Sequence, residues 1–546
     1  MRRSIGYGSM ITFAMIQIVA APWLPQSPAA ASTQARGTMV QAVAALEAGR
    51  LEASLLDAAA GRGSLENGPA EATEAVAPAR HRISELTGLP APQREAVARR
   101  PERVLLPTVP RFQALAHLVT SHLGIVTRPV TAGKRLFFLV YDTVKDALGW
   151  PAVPAPADGP GPGPTTSGTM DLDAWEGRLD EITGSETSYG TLEFLIDGRE
   201  FFPRLFHSVS AARRSVHIRI YIFDNDDVAV RMADTLKRRS ENIDVRVLMD
   251  GLGTILATGV MPESLPPHHE PPLSMRTYLM SGSKVKVRQQ SNPWFTGDHS
   301  KMVIIDDEKA YIGGMNIGRE YRYEWHDLMV EVEGPVVGEM GREFDRAWAN
   351  GGLLGDFESL FHSAKRSRER GSPHGYPVRL LHTKPGDSQI RNAQLEAIRW
   401  SRKYVYLENP YLADDQVLDE LIRASNRGVD VRVVLPGRSN SGIFTRSNVL
   451  AANRMLENGI KVYHLPRMSH VKAAVYDGWA CFGSANFDKY SFRVHYEVNM
   501  ATSHEPVVRE LIDRLFIPDF NASQELTEEL PVKAHDFLLE LVADQL

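Results

Sequence analysis

Residues His299 to Asp327, HSKMVIIDDEKAYIGGMNIGREYRYEWHD, decide how this chain is read. The stretch opens on His299-x-Lys301, runs through the apolar Met302-Val303-Ile304-Ile305 and meets Asp306. A turn follows, then a second short apolar run, Ala310-Tyr311-Ile312, which ends in Gly313-Gly314-Met315-Asn316. Apolar runs of this length flanked by polar turns predict strands. On a strand residues i and i+2 share a face, so His299 and Lys301 point the same way. An imidazole beside an ammonium suits a phosphate: the first attacks or protonates, and the second holds the anionic oxygens.

The arrangement occurs twice. His470-Val471-Lys472-Ala473-Ala474-Val475-Tyr476-Asp477 repeats the spacing, and Gly483-Ser484-Ala485-Asn486 repeats the glycine turn and the asparagine. An acid stands eleven residues after each asparagine: Asp327 after Asn316 (327 − 316 = 11) and Glu497 after Asn486 (497 − 486 = 11). On these residues the chain resembles the phospholipase D superfamily, whose members carry a His-Lys-Asp signature in each half. Beyond the motifs, Tyr221 to Asp227, Gly313 to Val337 and Gly483 to Val498 resemble cardiolipin synthase. The YLENPYL stretch, Tyr406 to Leu412, is similar to hydrolytic phospholipases D as much as to synthases. The resemblance covers most of residues 190 to 515 and none of the first 170. Two membrane-spanning helices, with which bacterial cardiolipin synthases often begin, are not read here.

The resemblance implies phosphoryl transfer through a phosphohistidine. A neutral histidine attacks phosphorus, His299 in this reading, and a protonated one, His470, gives its proton to the leaving alcohol. Lys301, Lys472, Asn316 and Asn486 would hold the non-bridging oxygens. Asp327 and Glu497 would accept the hydrogen bond from the far ring nitrogens and fix the tautomers. Asp306 and Asp477 complete the signatures and are counted with the site, although each ends an apolar strand and is read first as structural. No cofactor or metal is expected, because lysines and histidines already supply positive charge. The adjacent His268 and His269, in a proline-rich loop, are read as solvated. The implied substrate is a glycerophospholipid at a membrane surface, with an alcohol or a second phospholipid as acceptor. Alternatives are a hydrolytic phospholipase D and a secreted nuclease of the same fold. A monomer is expected.

Composition agrees with a large globular protein. At 546 residues, with 43% hydrophobic and 23% charged residues, the chain is long enough for two or three domains. A net charge of −6 weighs against a nucleic-acid partner. The single cysteine, Cys481, excludes an intramolecular disulfide.

Arg2 and Arg3, the apolar Met10 to Leu24 and the small residues Ala29 to Ala31 read as an export signal over residues 1–31. The mature protein is then expected in the periplasm or secreted, peripherally associated with membrane. Residues 32–150 read as helical. Their last part, from Phe112 to Trp150, is apolar yet too short and charged to span a bilayer, and packing on the catalytic region is preferred to lying in a membrane interface. Residues 151–169 are a Pro/Gly linker.

Residues 170–360 and 375–520 then repeat strand, helix and strand. Ser215 to Phe223, a helix around Met232 to Lys237 and Val245 to Met249 match Tyr404 to Leu407, Val417 to Ile422 and Val431 to Leu435. Each half continues with a similar segment, Ser281 to Val287 and Glu457 to Tyr463. This predicts an α/β fold of two pseudo-twofold-related phospholipase D-like α/β/α sandwich halves sharing one cleft. Trp294 and Phe295, before His299, are expected to touch an acyl chain, Lys365 to Arg370 to be a solvated connector, and residues 521–546 to form a helical tail.

Overall fold

The computed structural model describes residues 117, 119–122, 128–147, 168–257, 262–293, 296–352, 375–438 and 442–533. The export signal, most of residues 32–150, the linker up to residue 167, Trp294, Phe295, Lys365 to Arg370 and residues 534–546 lie outside the described residues.

The strands are β1 (Ser188–Ile196), β2 (Ser215–Ile220), β3 (Asp244–Asp250), β4 (Lys286–Gln290), β5 (Met302–Ile305), β6 (Lys309–Gly313) and β7 (Leu328–Glu333), followed by β8 (Tyr376–Lys384), β9 (Asp387–Ser388), β10 (Tyr404–Glu408), β11 (Asp430–Pro436), β12 (Lys461–Leu465), β13 (Ala473–Tyr476), β14 (Trp479–Gly483), β15 (Glu497–Thr502) and β16 (Gln524–Glu525). Together they make one mixed sheet in the order β16-β12-β11-β10-β13-β14-β15-β8-β1-β7-β6-β5-β2-β3-β4, with β9 paired to β8. Within the first seven strands, β2, β3 and β4 run parallel, and β2, β5, β6, β7 and β1 pair antiparallel in that order. The second set repeats the pattern: β10, β11 and β12 run parallel, and β10, β13, β14, β15 and β8 pair antiparallel. The sets meet where β1 pairs antiparallel with β8.

Helices cover the sheet, which is why β5 and β13 are buried on both faces and read as nearly continuous apolar runs; β2 is buried too, although His217 and Arg219 alternate with its apolar residues. Asp227–Ser240 follows β2 and is capped by Asp226, whose carboxylate accepts from Ala229 N at 2.8 Å. Its counterpart Asp415–Asn426 follows β10 and is capped by Asp414. Both caps satisfy backbone donors that a helix start leaves open. Met232, Leu236, Val216, Ile218 and Val247 fill the first core, and Val417, Leu421, Val405, Val431 and Val433 fill the second.

Each motif aspartate makes a tight turn. Asp306 and Asp477 adopt left-handed backbone conformations, φ 57° and 47°, directly after β5 and β13. An aspartate tolerates this conformation better than most residues. The Asp306 carboxylate accepts from the backbone of Arg213 (2.8 Å), Arg214 (2.6 Å) and Ser215 (2.8 Å), which tethers the hairpin to the start of β2. Asp477 does the same for β10 through Arg402 (2.6 Å), Lys403 (2.9 Å) and Tyr404 (2.8 Å), and adds Met170 N at 2.9 Å.

Two expected boundaries are corrected. The helix Leu172–Thr183, assigned by its position to the first half, packs on the second: Trp175 lies against Trp400 and Trp479, and Arg178 pairs with Glu396 at 3.0 Å. The described part of the tail is not helical beyond Ala522, where the helix Ile517–Ala522 ends: Gln524–Glu525 pairs as β16 with β12, and residues 526–533 are irregular, because the free edge of β12 accepts a strand.

The helix Pro129–Ala147, α1, packs by one face: Ala132 and Arg135 are buried, and Arg135 donates to Thr296 Oγ1 at 2.7 Å. No helix among the described residues is long and apolar enough to cross a membrane.

Candidate active site

His299 and His470 stand just before β5 and β13, at the ends opposite Asp306 and Asp477. The two motif-bearing segments are bridged to each other's halves. His299 N donates to Tyr496 O (2.9 Å), and Tyr496 N to Gly297 O (3.0 Å). On the other side His326 N donates to Met468 O (2.9 Å), and His470 N to His326 O (2.7 Å).

These bonds set up a crossed pairing. His299 Nδ1 lies 2.8 Å from Glu497 Oε1, and His470 Nδ1 lies 2.7 Å from Asp327 Oδ2. The acid eleven residues after each asparagine thus orients the histidine of the other motif. With Nδ1 committed to a carboxylate, Nε2 is the nitrogen left for chemistry on each ring.

The two acids are mounted differently. Asp327 Oδ1 accepts from Leu328 N at 2.8 Å, and a Cβ on Gly314 would come within 2.1 Å of that oxygen. In the second motif Ser484 takes the place of Gly314, and its hydroxyl donates to Glu497 Oε2 at 2.5 Å.

Each lysine donates to the carbonyl of its own histidine: Lys301 Nζ to His299 O and Lys472 Nζ to His470 O, both at 2.6 Å. An ammonium has three donors, so each retains capacity for an anion. Both are buried. Burial pulls Lys301 down to about 7 and Lys472 down to about 8, with the nearby acids acting the other way. Burial, joined by both lysines, holds His299 and His470 well below the usual histidine range. Burial pushes Asp327 and Glu497 up to about 7. The crossed pairing and the bridging backbone bonds bring both imidazoles and both lysines to one site. A phosphate anion entering there supplies the missing negative charge and favours the protonated lysines.

The asparagines are less symmetric. Asn316 Oδ1 accepts from Ile222 N at 3.0 Å, whereas Asn486 Oδ1 is buried without a hydrogen-bond partner. Asp306 and Asp477 are not gathered with the other site residues. Each stands seven positions after its histidine, at the far end of a four-residue strand, roughly 20 Å along the extended chain. Counting them with groups that touch substrate is therefore corrected: their carboxylates are spent on backbone amides.

Several residues at the site were not singled out from the sequence. Tyr221 stacks edge-on to His299 with centroids 4.6 Å apart, and its ring faces Lys301 Nζ at 5.1 Å. Trp325 lies 5.3 Å and Tyr321 5.6 Å from the His470 ring. His495 lies 6.2 Å from His299. Trp325 and His495 each stand two residues before an acid, so strand-like alternation was the signal that could have found them.

Behind His470 lies a buried charge cluster. His326 holds Asp197 through Nδ1 (2.6 Å) and Asp519 through Nε2 (2.9 Å), and Ser469 Oγ donates to Glu408 Oε1 at 2.6 Å. Despite its burial, His326 is raised to about 10 by these carboxylates. His326, Glu408 and Asp519 are the one group among the described residues with a metal-binding arrangement of atoms, but both imidazole nitrogens are engaged by carboxylates. His269 of the proline loop meets Asn225 O at 2.8 Å, and neither it nor His268 belongs to that group.

Comparison with known proteins agrees with this geometry. The family profile described as "Cardiolipin synthase, PLD-like domain" matches residues 205–348 and 394–516. A cardiolipin synthase of Listeria innocua is 28% identical over 373 residues, covering 64% of this chain and 72% of that protein. Cardiolipin synthase A of Pseudomonas fluorescens is 28% identical over 361 residues, covering 62% and 70%. In fold, the crystal structure of a phosphatidylserine synthase from Haemophilus influenzae superposes with a TM-score of 0.51 at 12% identity, covering 68% of this chain and 96% of that one. With two motifs closing on one site, these similarities support a phospholipase D-superfamily, cardiolipin-synthase-like assignment and phospholipase D-type catalysis in general terms.

Proposed function

We propose that this protein is a phosphatidyltransferase that exchanges the alcohol of a glycerophospholipid through a phosphohistidine, with phosphatidylglycerol as donor and acceptor. The observation that carries the reading is the crossed pairing, which presents two oriented imidazoles and two ammonium groups to one phosphodiester. The two sets of strands act as pseudo-twofold-related sandwich halves, a reading supported by their matched strand order.

In the first step His299 Nε2 attacks phosphorus, the P–O bond to the head-group glycerol breaks, and protonated His470 gives that oxygen its proton. In the second step a hydroxyl of another phosphatidylglycerol loses its proton to His470 and attacks phosphorus, and the P–N bond to His299 breaks. The products are cardiolipin and glycerol. Lys301 and Lys472 neutralise the non-bridging oxygens in both steps. The reaction needs His299 neutral and His470 protonated, so substrate must separate two rings that burial depresses alike. Export across the cytoplasmic membrane, inferred from residues 1–31, is part of the proposal, and an N-terminus near Ser32 on protein recovered outside that membrane would support it.

Incubation of purified protein with phosphatidylglycerol tests the reading: cardiolipin and free glycerol are the expected products, and added ethanol should divert the intermediate to phosphatidylethanol. Phosphatidic acid as sole product at high acceptor concentration would make the enzyme a hydrolytic phospholipase D. Cleavage of DNA with no turnover of lipid would make it a nuclease.

A further inference from the structure

The helix α1 carries two faces of different character. Ala132, Arg135 and Phe138 lie on the side that meets the catalytic region. Arg135 sits 5.2 Å over the Tyr496 ring, and a Cβ on Gly386 would lie 2.4 Å from the Phe138 ring. Val130, Phe137, Tyr141 and Val144 are spaced 7, 4 and 3 residues apart, which sets them on one other face. They are exposed by 58%, 60%, 41% and 48%. The Phe137 and Tyr141 rings stack with centroids 5.9 Å apart. Exposed aromatic and aliphatic groups in one row on a helix are costly to leave in water.

At the start of this helix lies an open groove of about 470 Å³, lined by Arg128, Arg276 and Arg288 with His117, and by no acid among the described residues. Arg276 also lines an adjoining cavity with Leu273, which is 79% exposed. Apolar groups thus stand beside a concave cationic surface on two separate elements. That pairing matches one surface chemistry: acyl chains topped by anionic phosphate head groups. The inward face of the helix reaches the site through Arg135 and Tyr496, whose carbonyl accepts from His299 N.

We infer that the outer face of α1, with Leu273 and the arginine groove, docks the enzyme on an anionic phospholipid bilayer. The inference rests on the lipid-directed function proposed above and adds where the membrane is met. Phe137, Tyr141 and Leu273 enter the interface, and Arg276 takes a head-group phosphate, with Arg128, held on Gly352 O, and Arg288, held on Trp348 O, adding positive charge beside it.

Sedimentation with phosphatidylcholine vesicles, with and without phosphatidylglycerol, tests it. Wild type should bind the anionic vesicles. The double variant Phe137→Ser with Tyr141→Ser should lose on the order of tenfold in vesicle partition and in turnover on vesicle substrate. It should keep wild-type turnover on monomeric short-chain phosphatidylglycerol, since both side chains stand on the exposed face and their ring contacts are with each other and with Phe138, not with the site. Arg276→Glu, on a separate element, should lower binding to anionic vesicles and leave the weak binding to neutral ones unchanged. Wild type that fails to bind, or both variants binding as wild type does, overturns the docking surface. Absence of turnover on monomeric phosphatidylglycerol by wild type would instead refute the proposed function, while sedimentation still decides the docking.

Discussion

Replacing Asp327 with asparagine should disable one histidine and spare the other, and the structure says how. Asp327 Oδ1 already accepts from Leu328 N at 2.8 Å, while Oδ2 faces His470 Nδ1 at 2.7 Å. An asparagine must keep its oxygen on the Leu328 amide, so its NH2 faces Nδ1. Nδ1 then becomes the acceptor, and the ring proton moves to Nε2. That tautomer cannot take a proton from an incoming alcohol, and the imidazolium loses its carboxylate. In a serine-protease triad the same change costs about 10^4 in kcat, or roughly 5 kcal/mol, and a similar loss is predicted here. The assay uses a phosphodiester with a nitrophenol leaving group, which departs without needing a proton. Asp327→Asn should therefore release about one nitrophenolate per site in a burst and then stall with His299 phosphorylated. Glu497→Gln should show no burst, because it mis-sets the nucleophile. The reasoning is refuted by near-wild-type turnover in Asp327→Asn. A burst in Glu497→Gln alone would reverse the two histidines' roles.

Other outcomes follow from the same geometry. His299→Ala and His470→Ala should each lose at least about 10^3 in turnover with unchanged circular dichroism, and a variant retaining a tenth of wild-type activity would sink the shared site. Gly314→Ala should cost about 100-fold in kcat, because the new methyl displaces the Asp327 carboxylate; normal kinetics would show that Asp327 tolerates the shift. Asp306→Ala should lower stability by about 1–3 kcal/mol through three released backbone donors while the folded fraction keeps its kcat; a drop in kcat without loss of Tm would return Asp306 to the site. His326 is raised from 6.5 to about 10 in the fold. A raised pKa gives stability that is full below the unfolded value near 6.5 and is lost as pH rises to about 10, at up to about 1.4 kcal/mol per pH unit. Denaturant titrations should show that decline, and His326→Gln should flatten it.

The local chemistry was legible in the sequence. Short apolar runs, glycine turns and a repeated His-x-Lys spacing are set by residues close along the chain. They pointed to β5, β6, β13 and β14, to the repeated strand-helix-strand units, and to the two histidines, two lysines and two acids. The packed face of α1 was also expected, although its exposed row was not separated from it. The role of Asp306 was readable only in part: its place after a strand suggested structure, but the amides it holds, Arg213 to Ser215, lie about 90 residues earlier. Tertiary structure alone decided the pairing of acid with histidine. A spacing of eleven residues attaches Asp327 to the first motif, yet its carboxylate meets His470, 143 residues away. Sequence spacing records position along one strand pair. The partner of a side chain at the strand ends depends on which segments the folded sheet brings opposite one another, and here β1 and β8 join the two sets so that each motif faces the other's acid.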